Sequence, residues 1–218
     1  MGKREDTFGY ILEASGFRTS SGVLQYPKKD DLYNSEFNNE VQSVYEGLGG
    51  LLNPFPLNLR KWDIEVEDIA VELDELLHFN RYRFSTLNAS FYTKLKKFPI
   101  NKYKSYCDTY ESRCLSAGNY GGKWSNNSCE KQFGIGSPPG DLSGNGSPRW
   151  KQRAFYDYVK DHTPLLYGVP LVRISIWDKI KVNGATYNVG QILDSEMLKA
   201  GELLYELIKA RVEVYSAV

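Results

Sequence analysis

The sequence lacks any long uninterrupted apolar run. Hydrophobic residues make up 41% of its 218 positions, but no stretch approaches the roughly 18 apolar residues that suggest a membrane-spanning helix. Residues 1–6 carry charges with no apolar stretch behind them, so they do not resemble a secretory signal. We therefore expect a soluble, cytoplasmic protein without a membrane partner.

Cysteine is scarce, and common cofactor motifs are missing. Three cysteines are an odd number in a chain with no export signal, which argues against a disulfide framework. The sequence contains no P-loop, no dinucleotide-binding fingerprint and no internal repeat. Its length and ordinary composition favour one well-buried core, so we predict a single domain over residues 1–218.

Net charge is zero, but the charges are unevenly distributed. Residues 63–75 contain seven acidic and no basic side chains, whereas residues 76–107 contain seven basic and no acidic ones. Two solvated faces would explain this pattern. A nuclease would explain it as well, because carboxylates hold a metal ion while nearby cations hold phosphates. The predicted DNA-binding residues are Arg81, Arg83, Lys94, Lys96, Lys97, Lys102 and Lys104.

Residues 62–74 alternate between apolar and polar side chains, which is the period of a β-hairpin. A two-residue turn at Glu67-Asp68 would pair Val66 with Ile69 and Asp63 with Glu72. Acidic side chains then share one face, where opposed like charges are destabilising. A divalent cation between them would offset this repulsion. The alternative is an edge hairpin whose acidic face meets water.

Capping residues, apolar spacing and turn residues predict the other elements. They are a short helix near Tyr10–Leu12, a helix from Ser35 to Gly49, a helix from Arg149 to about Asp161 capped by Ser147 and Pro148, a buried strand within Leu165–Trp177, a hairpin turn at Val182–Ala185, and a last helix capped by Asp194.

The segment from about residue 86 to 160 is interpreted as a loop-rich insertion that supplies target recognition. Lysines at 94–104 alternate with aromatic residues, which is typical of a nucleic-acid surface, although a helix with a solvated lysine face has the same pattern. Residues 118–148 are rich in Gly, Ser, Asn and Pro. A loop of that length is either functional or disordered.

The order of these elements resembles that of the PD-(D/E)XK nuclease superfamily, and the nearest branch is similar to the very-short-patch repair endonucleases. The resemblance rests on a helix bearing Glu40, then Asp63, an Ile-Ala-Val-Glu-Leu-Asp segment ending at Asp74, His78, and a later Val-Pro-Leu-Val-Arg-Ile strand. It covers roughly residues 35–83 and 165–177. It implies an α/β fold with a mixed central β-sheet flanked by helices.

The resemblance also implies roles for individual residues. Asp63 and Glu72 would bind Mg²⁺ or Mn²⁺, with Asp74 and Glu40 as further ligands. Asp74 stands where the superfamily places a catalytic lysine. His78, or Lys151 from the later helix, would act in its place in acid–base chemistry.

The sequence thus predicts a metal-dependent DNA endonuclease of the restriction type, for which a homodimer would suit double-strand cutting. A mismatch- or structure-specific nicking nuclease and a catalytically inactive nucleic-acid-binding subunit remain alternatives. The cysteines could be buried or free thiols. They could instead be ligands of a structural Zn²⁺, with the ligand set Cys107, Cys114, Cys129 and His162.

Overall fold

The computed structural model describes residues 2–212. Within this range the chain forms eleven α-helices and six β-strands. The helices are α1 (Lys3–Ala14), α2 (Lys29–Tyr33), α3 (Asn38–Gly47), α4 (Arg81–Thr86), α5 (Ile100–Gly118), α6 (Gly121–Trp124), α7 (Asn127–Phe133), α8 (Pro148–Lys160), α9 (Thr163–Tyr167), α10 (Val189–Asp194) and α11 (Gly201–Arg211). The strands are β1 (Thr19–Ser20), β2 (Ile64–Val66), β3 (Ile69–Asp74), β4 (Leu171–Ser175), β5 (Lys179–Val182) and β6 (Ala185–Asn188). Short 3-10 turns occupy Leu76–His78, Ser90–Lys94 and Leu198–Ala200.

The main sheet has four strands in the order β1-β2-β3-β4. The first two pairings are antiparallel, whereas β3 and β4 run parallel, with Glu72 beside Arg173. Helices pack around this mixed sheet, which confirms the predicted α/β class. The second sheet is the β5–β6 hairpin, and its turn at Asn183-Gly184 has the positive φ angles expected of that sequence.

The β2–β3 hairpin forms in the predicted register. Val66 pairs with Ile69 and Glu65 pairs with Ala70, so Glu67-Asp68 is the two-residue turn. The alternative, an edge hairpin whose acidic face meets water, is excluded because every residue of both strands is buried. Glu65 shows why: its carboxylate accepts hydrogen bonds from the Ser20 hydroxyl and from backbone amides at residues 22–24. These hydrogen bonds anchor the loop at residues 20–24 to β2.

Helix α8 begins where the sequence predicts. The Ser147 side chain accepts a hydrogen bond from the Trp150 amide at 3.2 Å, and Pro148 occupies the first turn. The helix packs over the face of the main sheet that carries Glu72 and Arg173, because side chains near its C-terminal end bond to both residues. It therefore contributes polar side chains to the sheet's buried surface.

Three element predictions are corrected by the structure. The first helix is longer than expected, spanning Lys3–Ala14. Asp194 ends α10 and pairs with Arg4 at 2.7 Å, so it does not cap the last helix. The insertion is mostly helical, because α5, α6, α7 and α8 all lie within it, and its longest irregular part is residues 134–147.

One continuous apolar core joins α1, the main sheet, α8 and α11, with Phe8, Val71, Phe155 and Ile208 among its fully buried members. A smaller cluster is built on Cys114, Trp124 and Trp150 beneath the insertion. Within residues 2–212, no helix combines the length and apolarity needed to cross a bilayer.

Candidate active-site cleft

A polar cleft of about 730 Å³ opens beside the end of the β2–β3 hairpin and runs along α8. Its titratable lining residues fall into two groups of opposite charge. The acidic group and the adjoining histidine are Glu5, Asp63, Glu72, Glu75, His78 and Asp157. The basic group is Arg60, Lys61, Arg149, Arg153 and Lys160. Carboxylates and cations thus face the same space, although they come from distant parts of the chain.

Asp63 immediately precedes β2, and its Oδ2 accepts a hydrogen bond from the Leu73 amide at 2.9 Å. That bond holds the carboxylate against the end of β3. Burial, together with the negative charges of Glu72 and Glu5, raises the pKa of Asp63 to about 8. The cleft therefore concentrates more negative charge around Asp63 than its neighbouring cation, Lys160, offsets.

Glu72 lies beside Asp63 in the cleft and contacts a lysine from α8. Its Oε1 is 2.5 Å from Lys160 Nζ, and both side chains are buried. Burial raises the pKa of Glu72, while Lys160 and Arg173 oppose that shift. Lys160 Nζ also donates to the Lys61 carbonyl at 3.2 Å, which fixes the ammonium group at the cleft wall.

Lys160 was missed by the sequence analysis, which considered Lys151 of the same helix. Lys151 Nζ instead donates to Asn145 Oδ1 at 2.6 Å and does not line the cleft. The sequence signal that could have identified Lys160 is the polar residue that recurs every three or four positions on α8. It marks one face of the helix, but it does not reveal which strand that face meets.

Asp74 is near His78, as predicted, but it is held by an arginine. Its Oδ1 lies 2.7 Å from Arg173 Nη1 and 3.2 Å from His78 Nδ1. His78 Nδ1 is also 2.8 Å from Asp157 Oδ2, so the ring is clamped between two aspartates. Asp74, His78 and Asp157 could act together as metal ligands, since their ligand atoms lie within 4.8 Å of one another. Arg173 already supplies positive charge there, which disfavours a cation at this position.

The same arginine belongs to a buried network that includes a predicted DNA contact. Arg173 Nε lies 2.5 Å from Asp161 Oδ1, and Arg83 Nη2 lies 2.8 Å from Asp161 Oδ2. Arg83 is 1% exposed, so it cannot reach a phosphate from this position. We therefore remove Arg83 from the predicted DNA-binding set.

The other predicted DNA contacts also lie away from the cleft, and none of the seven lines it. Arg81 pairs with Glu111 at 2.8 Å, and Lys102 lies 3.8 Å from Asp178. Lys94 lies 3.4 Å from Glu36. The remaining three predicted contacts are Lys96, Lys97 and Lys104. The cations that face the cleft are a different set, which the local charge count did not indicate.

Glu40 is likewise separated from the cleft. Its Oε1 accepts hydrogen bonds from the Ser90 hydroxyl and the Phe91 amide, both at 2.8 Å, and so fixes the turn at Ser90–Lys94. The acidic residue that the first helix does bring to the cleft is Glu5 of α1. Since the sequence analysis assigned no function to the N-terminal segment, it did not identify Glu5.

The predicted zinc site does not form. Within residues 2–212, no three of its four proposed ligands come together. Cys107 lies in the main core and Cys114 in the smaller cluster. Cys129 Sγ donates to the Asn126 carbonyl at 3.1 Å. The cysteines are buried thiols, which was the other reading of the sequence.

His162 is a buried core residue whose ring stacks on Phe91 with centroids 3.7 Å apart. Burial lowers its pKa from 6.5 to about 4. Between these two values the folded protein binds fewer protons than the unfolded chain, so stability falls as the pH is lowered through that window. From pH 7 to pH 4.5 the free energy of unfolding should therefore fall by about 2–3 kcal/mol more in the wild type than in His162→Phe. Urea unfolding at both pH values measures this difference, and equal losses would refute the prediction.

Comparison with known proteins matches the chain to a protein family. Residues 43–195 match the model of a family of unknown function (DUF7255). No curated protein and no solved structure matches the chain. The matched span contains Asp63, Glu72, His78 and Lys160 and leaves Glu5 outside it.

Proposed function

The chain belongs to this family of unknown function (DUF7255), and we propose that it is a metal-dependent DNA endonuclease that hydrolyses phosphodiester bonds in the cleft. One observation carries the proposal. Asp63 and Glu72, placed side by side by the hairpin, meet Lys160 from α8 in a cleft that also carries four other cations. Two carboxylates and a lysine can hold a cation and a phosphate together.

The residues present fit a hard divalent cation. Asp63 and Glu72 offer carboxylate oxygens, which favour Mg²⁺ or Mn²⁺ over zinc. Glu5 lines the same cleft and is close enough for its charge to raise the pKa of Asp63. A cation would relieve the mutual repulsion of these three groups. Asp74 is not included, because Arg173 already neutralises it.

Each of these side chains would have a distinct role in hydrolysis. Asp63 and Glu72 would hold the cation, which when bound supplies electrostatic stabilisation to the charged phosphate. Lys160, fixed by Glu72 and the Lys61 carbonyl, would donate a hydrogen bond to the attacking water or to a phosphate oxygen. His78 lines the cleft with its Nδ1 engaged by aspartates, so Nε2 is the ring nitrogen left to exchange a proton.

The helix bearing Glu40 (α3), the β2–β3 hairpin and the later strand β4 follow one another along the chain in the order on which the resemblance to the PD-(D/E)XK superfamily rests, which supports the proposal. The chain departs from the superfamily pattern at the position of the catalytic lysine. The usual lysine follows the acidic residue on the same strand, where this chain has Asp74. In our proposal Lys160 brings an ammonium group to Glu72 from the facing helix, 88 residues further along the chain.

The decisive experiment is incubation of the purified protein with plasmid DNA in Mg²⁺ or in EDTA. We expect cleavage only with the metal. Discrete fragments would indicate a restriction-type enzyme, and single-strand nicks would indicate a repair nuclease. Binding without cleavage at any metal concentration would refute the nuclease and favour an inactive DNA-binding subunit.

A matched pair of variants tests the lysine. Lys151 and Lys160 are both 7% exposed residues of α8, but only Lys160 contacts Glu72. We expect Lys160→Met to lower the cleavage rate by about 10²–10⁴-fold. Lys151→Met should leave the rate within about three-fold of wild type, because Lys151 Nζ donates to Asn145 and does not line the cleft. Equal rates for the two variants would remove Lys160 from the mechanism.

A further inference from the structure

Two arginines of α8, Arg149 and Arg153, face the cleft without an acidic partner. They are four residues apart, which places them one helical turn from each other on the same side of the helix. Neither takes part in any ion pair among residues 2–212. Arg149 Nη1 bonds to Gln152, and Arg153 Nη1 donates to the Leu77 carbonyl at 3.3 Å.

Their surroundings compensate this positive charge only in part. Burial lowers the pKa of Arg153, and the neighbouring charge of Arg149 lowers it further, while Asp157 and Glu75 oppose the shift from a distance. Two other buried arginines, by contrast, pair directly with carboxylates. Arg173 and Arg211 each bond to carboxylates at about 2.7 Å. An anion bound between Arg149 and Arg153 would remove the repulsion that the free protein retains.

We propose that Arg149 and Arg153 form a second phosphate-binding subsite, which holds a backbone phosphodiester of the strand being cut. This inference rests on the proposed nuclease function and adds the path of the substrate. The planar guanidinium group binds phosphate oxygens in pairs, which suits it to this anion. The strand then lies along α8, from the carboxylates at its C-terminal end toward Arg149 near its N-terminal end.

Helix geometry gives the reach of this subsite. Arg153 and Arg149 precede Lys160 by seven and eleven residues on the same helix, which corresponds to about 10 Å and about 16 Å along its axis. A stacked strand advances about 3.4 Å per nucleotide, so the subsite lies about three to five nucleotides from the bond that is cut. The substrate must therefore extend several nucleotides to one side of the scissile phosphate.

The test measures binding without cleavage. A fluorescent single-stranded oligonucleotide of about twelve nucleotides is titrated in EDTA at salt concentrations from about 50 to about 200 mM. The Arg149→Gln/Arg153→Gln variant removes both contacts. Its control, Arg18→Gln/Arg113→Gln, has the same net charge and alters two exposed arginines outside the cleft. Circular dichroism confirms that both variants fold.

We expect the cleft variant to bind at least about ten-fold more weakly than wild type at low salt. Its salt slope should fall by about 1.4, the value for two lost phosphate contacts on a single strand. The control should match wild type. Equal affinity and slope for the two double variants, or no binding by the wild type, would overturn the subsite.

The experiment can also distinguish a backbone phosphate from a terminal one, and failure of the subsite from failure of the nuclease function. The same titration with and without a 5′-phosphate distinguishes a backbone phosphodiester from a terminal phosphate. Loss that appears only with the terminal phosphate would overturn our assignment to the backbone. Since binding is measured in EDTA, a protein that cuts nothing but shows the expected loss would refute the nuclease and retain the subsite.

Discussion

Replacement of Asp63 by asparagine is expected to abolish metal-dependent cleavage while leaving the protein folded. Asparagine keeps an oxygen that can accept the Leu73 amide hydrogen bond, but it removes the charge that a divalent cation requires. We expect the cleavage rate to fall on the order of 10³-fold or more. The same change should remove the buried carboxyl group whose pKa is raised to about 8, so the metal-free protein should not be destabilised.

A second readout of Asp63→Asn does not depend on activity. A cation that binds only the folded protein raises its stability by about 2.7 kcal/mol when present at about one hundred times its dissociation constant. Mg²⁺ should therefore raise the Tm of the wild type by about 2–4 °C for each kcal/mol of this stabilisation, and leave the Tm of the variant unchanged.

Asp68→Asn is the matched control for that experiment. Asp68 is an exposed carboxylate in the turn of the same hairpin, and it does not line the cleft. This variant should retain both cleavage and the Mg²⁺-dependent rise in Tm. An Asp63→Asn protein that responds to Mg²⁺ like the wild type would show that the cation, if any, binds elsewhere.

The largest effect on stability is expected from Arg173→Met. Arg173 is 2% exposed and contacts three buried aspartates, with Nη1 2.7 Å from Asp74, Nη1 3.5 Å from Asp157 and Nε 2.5 Å from Asp161. Methionine fills much of the space but leaves these carboxylates with too little positive charge. Removal of one partner from a buried ion pair costs about 3–5 kcal/mol, and we expect a loss in or above that range.

Arg81→Met provides the comparison for Arg173→Met. Arg81 forms a two-bond pair with Glu111 at 2.8 Å, but its side chain is 50% exposed. Exposed pairs contribute about 0.2–1 kcal/mol. Urea unfolding of both variants measures the contrast. Similar losses would mean that burial does not set the cost, and that the aspartates around Arg173 are compensated in another way.

Local sequence rules were sufficient for the parts of the fold that depend on near neighbours. The hairpin register followed from alternation and a two-residue turn, and the start of α8 followed from Ser147 and Pro148. The β5–β6 turn followed from Asn183-Gly184. Asp194 does not cap the last helix, which begins at Gly201; it pairs instead with Arg4, 190 residues away, and no local pattern reports that interaction.

The candidate site was predicted only where pairing across the hairpin determines it. Register alone placed Asp63 beside Glu72. Alternation also placed Asp74 on that face, correctly, but it could not show that Arg173 from β4 would neutralise it. The assignment of the basic residues in 76–107 to DNA binding failed for Arg83 for the same reason. The partner of Arg83 is Asp161, 78 residues away, so a count of neighbouring charges could not distinguish a buried cation from a DNA contact.

The parallel pairing of β3 with β4 has a consequence for how the protein is made. Asp74 meets Arg173 across 99 residues of chain, so a ribosome must synthesise almost the whole of the intervening sequence before β3 gains its second neighbour. Contacts of such long sequence separation slow folding, because a large loop must close before they form. Until then the aspartates destined for the interior stay hydrated, and the hairpin exposes an unpaired edge. The cleft is therefore assembled late, because a nascent chain that stops short of β4 lacks both the strand that pairs with β3 and the arginine that neutralises Asp74.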